Sequence, residues 1–400
     1  MRPFPRNALV CLVLAGLVVG GGAFLFGSRF VAGFSPARGD YERGTQLAAL
    51  KMTADARSAY LAAVRRDPRF APPYRALAQM AAANGAYNDA RQLWTDYLQR
   101  APEAAHAWCG LAYAELMTGR EVPALRAAER EIRGNRACAR AHLIAGVLYA
   151  RKSDAKRALE HLGPAAASPQ YANYPRVQLL YGRVLALSGD YDRAEKVLQS
   201  VTRQKVANAQ PFFWLGWIAA RRRAAPATTE AARKYFAHAL NLQPDYPEAH
   251  LEMGRLLLRE RRAHDALPHI ERAAAARNHY PAALYALAQA YAAVGRTEDA
   301  EQTRRAFRRE SDLAAREKAL LRQYAADPDQ VPIATLGDLA QTLLARDKPE
   351  AALLFLRDAL RRAPQDLRVQ SLIVKAQSRG AALPVAAATD EAAAAAVAVP

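Results

Sequence analysis

A chain of 400 residues, 52% of them apolar, is too long for one simple core and fits either two domains or one elongated array. Its formal net charge of +18 would attract acidic proteins, polyanions or anionic lipid head groups, but no run of five like charges forms a nucleic-acid-binding arm. The three cysteines form no Cys-x-x-Cys motif, which argues against zinc knuckles and thioredoxin-like chemistry.

The first predicted element is an uncharged apolar segment at residues 8–26, preceded by Arg2 and Arg6. A helix of this length nearly crosses the hydrocarbon core of a bilayer. We therefore predict a signal anchor and transmembrane helix over residues 1–27, with the amino-terminal arm inside the cell and the rest of the chain on the periplasmic side. The alternative is cleavage after Ala23, which would release a periplasmic or secreted protein.

From residue 37 onward the sequence repeats with a period of 34 residues. The unit from Ala71 has an aromatic residue at position 4, Leu at 7, small residues at 8 and 20, Gly at 15 and Pro at 32. Small residues at 8 and 20 let two helices approach closely, and bulky residues at 4, 7, 11 and 24 are expected between successive hairpins. Further units begin at Ala105, Ala139, Pro175, Ala209, Pro247, Pro281 and Ile333, after a degenerate unit over 37–70.

These offsets resemble the tetratricopeptide repeat (TPR), a helix-turn-helix unit, over residues 37–378. The resemblance implies an all-α fold, a right-handed superhelical solenoid in which each hairpin buries its apolar face against its neighbours. Together with the apolar segment at the amino terminus, the predicted fold is a solenoid of TPR hairpins preceded by one transmembrane helix.

The period is interrupted in the eighth unit, where position 24 is Arg304 in place of an apolar residue. We predict an extra helix over about 313–324, with Ser311 or Asp312 as its N-cap. The predicted boundaries are 1–27 for the anchor, 37–314 for an array of about eight TPRs, 315–332 for the extra helix and linker, 333–379 for a C-terminal TPR with its capping helix, and 380–400 for a disordered Ala-rich tail.

The sequence contains no recognisable catalytic motif. The metalloprotease motif HExxH, the hydrolase motif GxSxG, a phosphate-binding loop and a dinucleotide fingerprint are all absent, and the eight histidines are scattered. We therefore predict no enzyme activity, no catalytic or metal-binding residue and no cofactor. His142 and His250 fall at position 4 of their units, which predicts that they pack between helices.

The resemblance places partner binding on the concave face that the first helices of the repeats line. In the central repeats, positions 5, 9 and 13 combine arginines, which can hold a carboxylate with two hydrogen bonds, with aromatic rings, which give rigid contact area. Our hypothesis is a groove for a partner segment with acidic residues, and the alternative is that the arginines are a solvated face and the aromatic residues pack internally. The predicted groove residues are Arg183, Phe213, Trp217, Arg221, Arg255, Arg259 and Tyr285.

The architecture also resembles membrane-anchored TPR proteins of the bacterial envelope. That resemblance implies a membrane-tethered scaffold that binds other proteins during envelope assembly or regulation, without a nucleic-acid partner. One subtype ends in paired Cys-x-x-Cys motifs, which this sequence lacks. The alternatives are a soluble secreted or periplasmic binding module and a non-catalytic subunit of an envelope enzyme complex.

Overall fold

The computed structural model describes residues 36–204, 208–222, 226–276, 280–327 and 330–380. Within these ranges the chain forms nineteen α-helices and no β-strand, which confirms the all-α prediction. The helices are α1 Pro36–Ala49, α2 Thr53–Arg66, α3 Pro72–Ala83, α4 Tyr87–Arg100, α5 Ala107–Met117, α6 Glu121–Gly134, α7 Ala139–Arg151, α8 Ala155–Ala167, α9 Pro175–Leu187, α10 Tyr191–Thr202, α11 Ala209–Arg221, α12 Pro226–Leu242, α13 Pro247–Arg259, α14 Ala263–Ala276, α15 Pro281–Ala293, α16 Thr297–Ala326, α17 Ile333–Ala345, α18 Pro349–Arg362 and α19 Leu367–Gln377.

The helices fall into two compact units, residues 1–114 and 115–400, with the boundary inside α5. In the first unit, α1 pairs with α2 and α3 with α4. In the second unit the same pairing joins consecutive helices from α7 to α18, and α19 packs on α17 and α18. Each pair is an antiparallel hairpin with a short connection, as the 34-residue period predicts.

In five of these hairpins a glycine on the first helix faces a large side chain on the second helix. A Cβ atom built on Gly254 of α13 would lie 2.3 Å from Cγ1 of Ile270 in α14. Gly182 of α9 stands in the same relation to Leu198 of α10, at 2.8 Å. Both large residues are fully buried. Position 24 therefore fills the interior of its own hairpin, against position 8, in addition to the space between hairpins where the sequence places it.

The longest helix is α16, which has 30 residues. The structure differs here from the predicted separate helix over 313–324, because α16 continues through Ser311 and Asp312 without a break. Residues 297–326 contain no Gly or Pro and are rich in Ala, Arg, Glu and Leu, which all favour helix. A capping residue cannot begin a new helix where the residues before it are already helical.

Two hydrophobic cores of the second unit flank the long helix. The first joins α11, α12, α13, α14 and α15. The second joins α17, α18 and α19 and includes Leu320, Leu321 and Tyr324 from the second half of α16. The first half of α16 packs on α15, where the rings of Tyr285 and Phe307 lie 5.4 Å apart. One continuous helix thus completes the α15 hairpin and also forms a wall of the C-terminal core.

A buried ionic network joins α16 to the loop between α17 and α18. The side chain of Arg346 is 11% exposed, forms an ion pair with Glu317 and places Nε 3.8 Å from Oε2 of Glu310. Lys348 Nζ lies 2.8 Å from Oε1 of Glu317. Both glutamates are buried, so their charges depend on these cations in place of water.

The localisation predicted from the sequence is wrong. Across the described ranges, no helix combines the length and the apolar character that are needed to cross a bilayer. The apolar segment at 8–26, and with it the predicted anchor over 1–27, lies outside the described residues, as does most of the predicted tail, 381–400. The structure therefore assigns the protein to no compartment.

Two hairpins carry the same pair of histidines. Nδ1 of His250 in α13 lies 2.9 Å from Nδ1 of His269 in α14, and Nε2 of His250 lies 2.8 Å from the carbonyl oxygen of Pro244. His142 and His161 repeat the arrangement in α7 and α8, with 3.1 Å between the Nδ1 atoms. Because a carbonyl oxygen only accepts, Nε2 of His250 carries the hydrogen, and His269 then donates through Nδ1 in the neutral pair.

Acidification is expected to destabilise both hairpins. Burial, together with the neighbouring histidine, lowers the pKa of His161 and of His269, and Arg272 lowers the latter further, whereas Glu129 and Glu160 partly oppose the shift at His161. The unfolded chain therefore binds protons that the folded pairs do not. Stability then falls as the pH drops from about 6.5 toward the lowered folded pKa.

The double variant His161→Asn and His269→Asn tests this expectation, because Asn retains an N–H donor near the Nδ1 position and does not titrate. Thermal unfolding followed between about pH 5.5 and 7.5 should show a flatter dependence in the variant than in the parent chain. If the midpoint of thermal unfolding changed equally with pH in both proteins, His161 and His269 would not be the source of the pH dependence. His264→Asn, at an exposed position, is the matched control and should leave the dependence as it is.

Candidate functional site

Four of the seven predicted groove residues lie on one surface of the second unit. Trp217 and Arg221 are four residues apart on α11, and Arg255 and Arg259 are four residues apart on α13. That spacing puts both members of each pair on the same side of their helix. Since α11 and α13 are the first helices of consecutive repeats and pack on each other, the two pairs share a surface, which we call the α11–α13 face.

Glu252 of α13 lies between the arginines of this face. Its Oε1 atom is 3.0 Å from Nη1 of Arg255, and its Oε2 atom is 3.4 Å from Nη1 of Arg221. The glutamate side chain is 10% exposed, whereas those of Arg221 and Arg255 are 33% and 35% exposed. Each guanidinium has five N–H donors, so donors on both arginines remain for another acceptor.

The aromatic part of the face is the indole of Trp217. The Cζ atom of Arg221 lies 3.5 Å from the centre of this ring, which is a cation–π contact. The rings of Trp214 and Tyr191 lie 5.4 Å and 6.4 Å from Trp217. Trp217 is half-buried, so these contacts fix its orientation while part of the indole stays accessible beside the charged groups.

Arg259 completes the α11–α13 face at its exposed edge. Its Nη1 atom lies 3.3 Å from the carbonyl oxygen of Ala220, so it bridges α13 to α11. The three arginines outnumber the single Glu252, and the face is therefore positively charged. It offers cationic donors beside an aromatic ring, a combination that suits a carboxylate next to an apolar side chain.

Two predicted groove residues lie largely below the surface. Phe213 is 5% exposed and belongs to the core of α11 to α15, where its ring lies 5.2 Å from that of Tyr246. Arg183 of α9 is half-buried, and burial lowers the pKa of its guanidinium. Phe213 therefore supports the fold beneath the face, and Arg183 is only partly accessible to a partner.

Tyr285, the seventh predicted residue, is exposed and lies on the next first helix, α15. Its ring contacts Phe307 of α16, and no contact in the described structure joins it to the arginines of the α11–α13 face. Glu252, in contrast, belongs to the face and is missed by the sequence analysis, because position 6 is not among the positions expected there. An acid three residues before an arginine on the same helix is the signal that could have found it.

Two stretches of the chain match family models described as tetratricopeptide repeat, residues 75–122 and 257–306. The chain contains tetratricopeptide repeats. The second stretch covers the end of α13, all of α14 and α15, and the first ten residues of α16. TPRs are generally non-catalytic modules that bind other proteins, so the TPR hairpins indicate a protein-interaction scaffold.

Several solved structures resemble the chain at low identity. The TPR protein YrrB, which has an unusual peptide-binding site, is 22% identical, with coverage of 48% of this chain and 95% of YrrB and a TM-score of 0.43. The Cut9–Hcn1 hetero-tetramer of APC/C is 15% identical, with coverage of 80% of this chain and 59% of that chain and a TM-score of 0.40. The human IFIT1 dimer with PPP-AAAA is 13% identical, with coverage of 80% of this chain and 81% of that chain and a TM-score of 0.41. Among curated proteins no match is found.

Proposed function

We propose that this protein is a scaffold that binds an acidic segment of a partner protein on the α11–α13 face. The observation that supports this proposal is the carboxylate of Glu252 between Arg221 and Arg255. The two guanidinium groups, one from each helix, are already positioned around a carboxylate. A partner's aspartate or glutamate would use the donors that Glu252 leaves, together with those of Arg259.

The spacing of the helices limits what the partner segment looks like. Neighbouring helix axes lie about 8–10 Å apart, a distance that an extended chain spans in about three residues. A segment that lies across α11 and α13 therefore needs an acidic residue about three positions from an apolar one. The acid would pair with Arg255 or Arg259, and the apolar side chain would lie on Trp217.

Substitutions at Glu252 and at its arginine partners should change binding in opposite directions. Glu252→Gln is expected to strengthen binding of an acidic peptide, because it removes the internal carboxylate that competes for the arginines. Arg221→Gln with Arg255→Gln is expected to weaken binding by about tenfold or more, because charge-assisted hydrogen bonds are lost. Fluorescence anisotropy with a library of labelled acidic and charge-neutral peptides, run on the full chain, measures both effects.

Arg126 and Arg203 provide the matched control, since both are exposed and replacing them with Gln removes the same charge from α6 and from the end of α10. A loss of affinity in this control equal to that of the arginine pair would mean that only the general charge of the protein attracts the peptide. Weaker binding in Glu252→Gln would mean that Glu252 only organises the fold. Either result would overturn the proposed site.

A further inference from the structure

The hairpin of α15 and α16 exposes an aromatic residue at a position that its equivalents bury. At position 5 of the first helix, Leu179, Phe213 and Leu251 are 9%, 5% and 1% exposed, whereas Tyr285 is 49% exposed. The ring of Tyr285 lies 5.4 Å from that of Phe307 on α16. Neither of these two residues belongs to either hydrophobic core of the second unit.

The exposure has a structural cause in the interruption of the repeat. In the preceding hairpins the first helix of the next repeat covers this position, since α11 packs on α9, α13 on α11 and α15 on α13. The described helices that pack on α15 are α13, α14 and α16. The next first helix, α17, packs on α16 and joins the C-terminal core instead. Tyr285 of α15, which a following first helix would cover, is therefore left exposed, and α16 itself also packs on α6.

The second helix of this hairpin carries charge beside the aromatic pair. Arg304 and Arg308 are four residues apart, as are Arg305 and Arg309, so the four share one broad side of α16. All four are exposed, and none joins an ion pair within the described ranges. Arg304 occupies position 24, where the other hairpins of this unit carry a buried apolar residue. An occupant that covers these arginines must supply carboxylates, since burying an unpaired guanidinium is costly.

We propose that an amphipathic helix of a partner protein, with an apolar stripe flanked by Asp and Glu, docks on Tyr285 and Phe307 and takes the place of the missing first helix. The neighbouring repeats show that this position in a hairpin receives a helix, and the aromatic pair matches an apolar stripe. The arginines select for acids at the edges of that stripe. This surface borders the α11–α13 face, since Nη2 of Arg255 lies 3.5 Å from the carbonyl oxygen of Ala282 on α15, but it is formed by different residues.

The test uses the full chain and a designed helical peptide with Leu on one stripe and Glu beside it. Amide hydrogen exchange should show new protection in α15 and in the first half of α16. Arg304→Gln with Arg308→Gln, or Tyr285→Ala, should weaken binding by about tenfold. The matched control, Lys318→Gln with Arg322→Gln, removes two exposed charges with the same spacing from the second half of α16 and should bind as the parent does.

Several outcomes would overturn the proposal. If a peptide with Lys in place of Glu bound equally well, the arginines of α16 would not select for acidic residues. Protection of α15 and α16 that grows with protein concentration alone would make a second copy of this chain the occupant. Protection by a single-stranded RNA oligonucleotide but not by the acidic peptide would make the surface a nucleic-acid site. The Arg221→Gln variant, which leaves the contact of Arg255 with Ala282 of α15 in place, should bind the helical peptide normally, and this separates the test from that of the α11–α13 face.

Discussion

Replacing Arg346 with Met is expected to destabilise the C-terminal core by about 3–5 kcal/mol. Arg346 is the cation between Glu310 and Glu317, and both glutamates are buried. Without it, two carboxylates remain in a site that water reaches poorly, and Lys348, which is 41% exposed, pairs only with Glu317. Met keeps an unbranched apolar stem at this position, so the loss would report the missing charge rather than missing packing.

Hydrogen exchange of α17 and α18 in the full chain measures this effect, because repeat proteins open locally rather than all at once. Arg361→Met is the matched control: Arg361 is 80% exposed and pairs with Asp358 at 2.7 Å. An exposed pair of this kind contributes about 1 kcal/mol or less. Adding Glu310→Gln and Glu317→Gln to Arg346→Met should recover much of the loss. If Arg346→Met cost no more than the control, the network would contribute nothing to the core.

The second large effect is expected at Gly254, where substitution by Ala should cost about 1–3 kcal/mol. The added Cβ would lie 2.3 Å from Cγ1 of Ile270 and 3.3 Å from the carbonyl oxygen of Ala266. The carbonyl belongs to the backbone of α14, so the two helices would have to move apart. Ala is favoured over Gly inside a helix by about 0.5–1 kcal/mol, so the steric cost must exceed a gain in helix propensity.

Gly163→Ala is the matched control, because its Cβ would meet only the hydroxyl of Tyr181, at 3.7 Å. Thermal unfolding of both variants measures the difference, and Gly163→Ala should be neutral or slightly stabilising. A double-mutant cycle with Ile270→Ala identifies the contact, since Gly254→Ala should cost little once the large side chain is absent. If Gly254→Ala destabilised the Ile270→Ala variant as much as the parent chain, Gly254 would be required for a reason other than its contact with Ile270.

The sequence predicts the repeated hairpins well because their spacing follows from a steric requirement. Gly254 and Ile270, like Gly182 and Leu198, are sixteen positions apart, and only a small residue facing a large one lets the two helices meet. The course of α16 is not predicted, because the capping tendency of Ser311 is local and is outweighed by helix-forming residues on both sides. The repeat period indicates where helices lie, but it does not show that a helix can continue beyond the end of its repeat unit.

The candidate site is predicted in part for a related reason. Trp217, Arg221, Arg255 and Arg259 lie on first helices of their repeats, as the period indicates. The period also assigns Phe213 and Tyr285 to one equivalent position, yet the first is 5% and the second 49% exposed. The exposure of that position depends on whether another first helix follows, and a position-by-position pattern does not contain this information.

Because α16 is uninterrupted, its length in residues also fixes the orientation of the C-terminal core about the helix axis, relative to the core of α11 to α15. The other hairpins are joined through turns, which can absorb an inserted residue without moving the helices they connect. A residue inserted into the middle of α16 would instead turn the C-terminal core by about 100° and advance it by about 1.5 Å relative to α15. Only an insertion that adds whole helical turns to α16 would therefore restore the original orientation of the C-terminal core relative to α15.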